Sequence, residues 1–237
     1  MNSARLITMT ALAVAAGCDS TGAPSELDRP RVLAVQVSPP HLGPEESGPV
    51  DVLVGRDDGT VDVVAPTSVE VAGAPSGSAV ESMVAHGADG WAVDCPDAQV
   101  LAQMRAQMEL AADEPIPIGL AIEVEVEGEL LTATKVVYLG SRGDNPTLAG
   151  ITAQSGSEED GVLVIGAGEE IPIAADGAEG DSELSYAWFT SLGDIDLYLS
   201  EEATLTATDE PGDGQLVLVV RDQHGGVTWT WRDVRVE

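Results

Sequence analysis

Aromatic side chains are scarce in this chain: Phe, Trp and Tyr make up 3% of 237 residues. That leaves little material for the ring platforms on which sugar- or base-binding proteins stack their ligands. Bases are few beside acids, 10 Lys+Arg against 41 Asp+Glu, for a net charge of −31. A field of that sign repels phosphates, which argues against nucleic acid and anionic lipid headgroups as partners. Two cysteines cannot form a disulfide framework. The three histidines, His41, His86 and His224, lie far apart and lack zinc-enzyme spacing. No Gly-x-Ser-x-Gly elbow occurs, since "GAPSGS" (73–78) has the wrong spacing, and there is neither a phosphate-cradling glycine loop nor a dinucleotide fingerprint. Adjacent carboxylates are expected by chance at this acid content, so they indicate no acid–base pair. The expectation is a protein that is not an enzyme.

What is present begins with an apolar run, Leu6 to Ala16, about half the length a membrane span requires. It follows a single charge, Arg5, and ends in small residues, the order of a secretory signal peptide over residues 1–17. The stretch Ala15-Ala16-Gly17-Cys18 resembles a bacterial lipobox, although Ala15 stands where that family more often has Leu. The resemblance implies cleavage before Cys18 and diacylglycerol on its thiol, hence an exported protein held to a bilayer by acyl chains such as palmitate. Asp19 resembles an inner-membrane retention signal whose rule differs between bacterial groups, so the membrane stays open, whether the protein faces the periplasm or the cell surface. Residues 18–30 are small and polar and read as a flexible tether.

From Arg31 the chain reads as strands separated by turn residues. Val50–Gly55 and Thr60–Ala65 flank a turn containing Asp58-Gly59. In "GLAIEVEVEG", Ile122, Val124 and Val126 share one face and Glu123, Glu125 and Glu127 the other, a half-buried strand turning at Glu127-Gly128. One segment is helical: Val100, Leu101, Met104 and Met108 recur at helical spacing, with Asp94 as the expected cap, Pro96 in the first turn and Pro115 beyond the end. This places a helix at about residues 96–111, its methionines packing on the sheet. Cys95 reads as a small buried hydrophobe. "GSRGDNP" (140–146) marks a domain boundary, and its Arg-Gly-Asp tripeptide reads as coincidence. The expected fold is mainly β: two β-sandwich domains, 31–142 with the helical insertion and 146–237.

The second half carries motifs that sharpen this to immunoglobulin-like sandwiches by resemblance. "LSYAWFTSLGD", "EATLTATDEPGDGQLVLVVRDQHGG" and "VTWTWRDVRVE" resemble immunoglobulin-like modules of the PKD type. The resemblance makes Trp188 the core tryptophan, with Tyr186 on the same face, and makes 227–237 the closing edge strand. The family's acidic glycine turn after the tryptophan is replaced by "FTSLGDIDLYL". The whole order also resembles surface lipoproteins of myxobacteria, a likeness that supplies an architecture and no activity. No cofactor is implied. Calcium, which favours six to eight oxygen ligands, has candidate ligands in Asp209, Glu210, Asp213 and Asp222, and in Asp57 with Asp58; the competing reading is a solvated acidic surface. Trp229 and Trp231 alternate on one strand and read as a small glycan contact or as half-buried cross-strand packers. The functional expectation is a non-catalytic envelope lipoprotein that recognises a protein or glycan. The alternative is an accessory module of secretion or polysaccharide machinery, and a hydrolase ranks last.

Overall fold

The computed structural model describes residues 23–73 and 80–237; the leader and Cys18 lie outside them. Two β-sandwiches follow one another. The first holds β1 (Arg31–Val37), β2 (His41–Leu42), β3 (Ser47–Gly55), β4 (Val61–Val64), β5 (Ser68–Val71), β6 (Val84–Gly87), β7 (Gly90–Asp94), α1 (Ala98–Met108), β8 (Ile116–Val126) and β9 (Glu129–Leu139). The second holds β10 (Gly150–Ala153), β11 (Ser157–Glu159), β12 (Val162–Ile165), β13 (Glu170–Asp176), β14 (Leu184–Thr190), β15 (Gly193–Asp196), β16 (Glu202–Ala207), β17 (Gly212–Asp222) and β18 (Val227–Val236).

The first sandwich pairs a sheet ordered β1-β3-β7-β6, with β4 added to β3, against one ordered β2-β9-β8-β5. The second pairs β10-β13-β16-β15 against β11-β12-β18-β17-β14. Strands run antiparallel except at one place in each sandwich, where β2 lies parallel to β9 and β12 parallel to β18. In each case an early strand joins the last strand of its sandwich, and the architecture is immunoglobulin-like.

Local chemistry explains the elements. On β8 the apolar residues Ile116, Ile118, Leu120, Ile122, Val124 and Val126 are all buried. The hairpin to β9 turns on Glu127 and Gly128, both at positive φ (54° and 82°), the twist that matches paired strands. The helix starts two residues later and ends three residues earlier than the sequence predicts. Asp97, not Asp94, caps it, accepting from the Gln99 and Val100 amides at 2.8 and 2.9 Å, and Pro96 precedes the cap. Glu109 in a left-handed conformation ends it. Leu101 is buried and Met104 packs on the same core, but Met108 is 46% exposed and does not complete the expected stripe. Cys95 is buried in the first core, and burial pushes its thiol pKa up.

Each sandwich has its own core, the first around Leu120, Ile122 and Leu139, the second around Trp188, Ile171 and Leu205. A third core, absent from the sequence-based picture of two separated domains, lies between them. It gathers Leu27, Leu33, Ala34, Leu53 and Val61 from the first half with Val217, Val219 and Val227 from the second, flanked by Phe189 and Trp229. β17 is therefore buried on both faces, with Leu216, Leu218 and Val220 in one core and Val217 and Val219 in the other. The segment read as a tether also joins this core over its described part. Ser25 and Leu27 are buried; the Leu27 amide donates to the Thr190 carbonyl and the Thr190 amide to the Ser25 carbonyl, at 2.8 and 2.9 Å. Arg31 locks this segment down, donating to the carbonyls of Pro24 and Glu26 with its guanidinium 5.1 Å from the Phe189 ring. A buried leucine in a polar segment was the missed signal.

Candidate functional site: the seam between the sandwiches

Beyond the apolar third core, the seam is polar and specific. Asn145, from the turn-rich boundary, reaches both sides: its amide nitrogen donates to the Val37 carbonyl at 3.0 Å and its oxygen accepts from the Val227 amide at 2.8 Å. His41 bridges as well, with Nδ1 2.9 Å from Ser141 Oγ, Nε2 2.9 Å from the His224 carbonyl oxygen, and its ring stacked on Tyr138. Two histidines 183 residues apart thus meet edge-on, ring centroids 6.2 Å apart. The Val61 amide donates to Gln215 Oε1 at 2.7 Å.

Within the seam a cleft of about 350 Å³ opens between β1, β9 and the β17–β18 turn. Two cations line it. Lys135 is the only lysine in the chain. It stands on the face of β9 shared by Leu131, Ala133, Val137 and Leu139, which pack on the first core. Its side chain is buried, and Nζ crosses the seam to donate to the Gly225 carbonyl. Arg221, the second cation, donates from Nη2 to the Leu33 carbonyl at 2.6 Å. Burial and then the nearby Arg221 charge lower the Lys135 pKa to about 8, against a smaller opposing effect of Asp222. Burial also lowers that of Arg221. Ion pairs among the described residues involve Arg29, Arg56, Arg142, Arg232 and Arg235, so neither cleft cation has a carboxylate within 4.0 Å.

The Asp222 carboxylate is engaged by its own turn, Oδ1 accepting the His224 and Gly226 amides at 2.8 and 2.7 Å. Gly225 sits at φ 82°, and a Cβ there would fall 2.9 Å from the Val136 carbonyl oxygen, so the turn needs glycine to approach β9 this closely.

The residues singled out from sequence are scattered. Trp188 has no exposed surface, and Nε1 donates to the Ser200 carbonyl at 2.8 Å; Tyr186 packs on the same core. Trp229 packs into the third core while Trp231 is 41% exposed, so the pair does not form one open glycan platform. The calcium candidates do not converge. Asp213 Oδ1 accepts from Arg235 Nε at 2.8 Å, Asp222 serves its turn, and the Glu210 amide donates to Thr208 Oγ1. Asp209 lies beside Gly168, Asp58 accepts from Thr60, and the Asp57 amide donates to Glu127. Among the described residues no group of three or more metal-binding side chains comes together. No described helix is long and apolar enough to cross a membrane, which leaves β-barrels unaddressed. Lys135 was missed, although a lysine on the apolar face of a period-two strand was a legible sign.

No protein-family model matches the chain, and no curated protein matches it. Among solved structures it is similar to tandem immunoglobulin repeats of Dlar, at 14% identity over 88% of this chain and 97% of that one, TM-score 0.31. Fibronectin(III)-like modules of Clostridium thermocellum CbhA are similar at 9% identity over 87% and 92%, TM-score 0.28. A nucleoside hydrolase-related hypothetical protein from Saccharophagus degradans is similar at 19% identity, TM-score 0.30; the match covers 40% of this chain and 26% of the other. At these values none assigns an activity.

Proposed function

We propose that this is an exported, non-catalytic lipoprotein of the bacterial envelope that acts as a recognition module. The observation behind it is the third core. It joins two immunoglobulin-like sandwiches into one body, so the loops of both form a composite surface whose geometry is set before a partner arrives. Preorganisation of this kind lowers the entropic cost of binding. Acylated Cys18 supplies location. Ser25, buried against the body, is seven residues from Cys18, so the anchor lies no more than about 25 Å away along the chain. The module would work close to its membrane, unlike one on a long leash.

Two measurements test this. Cys18→Ser should release the protein from the membrane fraction and abolish fatty-acid labelling; a variant that stays membrane-bound and unlabelled, like its parent, removes the anchor. Crosslinking in intact cells should capture a stable envelope partner, with no turnover of glycosides, esters or peptides. Turnover abolished by one carboxylate substitution that leaves the fold intact would make the protein an enzyme.

A further inference from the structure

We infer that the seam cleft lined by Lys135 and Arg221 is a binding site for a small monocarboxylate with a short apolar body. This names a ligand class for the recognition module proposed above and rests on that reading. The first reason is charge. In a chain with a fourfold excess of acids, two of the few bases, one of them the only lysine, sit together in the seam without a carboxylate partner among the described residues. Buried cations are ordinarily paired. Here each is given one backbone carbonyl, which leaves ammonium and guanidinium donors for a further acceptor.

The second reason is shape. The cleft also presents Val32, Ala133, Val136 and Val227, and its size is at the lower end of small-molecule pockets. The third is the surrounding field. Asp222 borders the cleft and the body carries a large negative charge, so a polyanion is repelled where a single charge on an apolar stem is tolerated. Because the lining comes from both sandwiches, an occupant would also brace the seam.

The test uses calorimetry on the full-length protein in non-ionic detergent, with sodium butyrate, butyramide and inorganic phosphate as probes. Butyrate should bind with one-to-one stoichiometry, butyramide should not, and phosphate should bind at least tenfold more weakly. Lys135→Met should weaken butyrate at least tenfold, as expected for loss of a charge-assisted hydrogen bond, while Lys135→Arg should retain most of the affinity. Acetylation of the single lysine by an amine-reactive ester, read by mass spectrometry, should slow in butyrate but not in butyramide. This readout needs no variant to fold. Equal binding of butyrate and butyramide, no binding of either, or tighter binding of phosphate would each overturn the proposal. A protein that captures an envelope partner yet ignores butyrate keeps its role as a module and loses this site. One that binds butyrate but turns over substrate keeps the site and loses the non-catalytic reading.

Discussion

Trp188 is completely buried in the second core, and its one polar atom is satisfied by the Ser200 carbonyl at 2.8 Å. Trp188→Ala should therefore cost about 3–5 kcal/mol, read as a lower urea midpoint; a loss below about 1 kcal/mol would mean that the ring is not the keystone. Lys135 carries the opposite kind of effect. Its folded pKa, about 8, lies below the ordinary 10.5. Between those values the unfolded chain binds more protons, so this residue makes stability rise with pH across that window. Below pH 8 the buried charge opposes folding by on the order of 3 kcal/mol. The stability of the parent relative to Lys135→Met should therefore increase from pH 8 to pH 10; a flat difference would show that the ammonium titrates normally. Both residues could be read from sequence, the tryptophan by its motif and the lysine by its register. What the lysine touches could not, because Gly225 is 90 residues away.

Among the elements, β17 shows where periodicity misleads. Its run Leu216–Val220 is buried without alternation, the usual sign of a strand covered on both faces. One face meets its own sandwich and the other meets β1, β3 and β4 through Leu33, Leu53 and Val61. Val219→Glu would place an unpaired charge in the third core while sparing Leu216, Leu218 and Val220, at a cost of about 3–5 kcal/mol. Calorimetry should then show the single unfolding transition of the parent split in two. An unchanged single transition would mean that the sandwiches are not coupled through this strand. The helix illustrates a smaller discrepancy. Aspartates at 94 and 97 both suit a cap by type, and only the backbone path, with Pro96 ahead of Asp97, selects the second.

Taken as a whole, the molecule is a single acidic body whose halves carry similar charge. Added NaCl should raise its melting temperature by screening that repulsion. CaCl2 at matched ionic strength should raise it no further, since Asp213 faces Arg235 and Asp222 is held by its own turn. A calcium-specific rise of several degrees would restore a metal site. Two sandwiches linked by a turn could hang as separate beads; these are fused, with Asn145 and His41 clipping the joint.

The sequence alone determined the local content: strands from alternation, a helix from its spacing and prolines, a tryptophan-centred sandwich, and an acidic surface. Strands and helix follow from neighbours a few residues apart, the acidic surface from composition, and the tryptophan's place from a family resemblance. The third core, the docking of residues 25–27 and the meeting of Lys135 with Arg221 were decided only by tertiary structure. They depend on which outer face of one sandwich covers the other, and an apolar residue on an outer strand face carries no label naming the distant surface that will shield it.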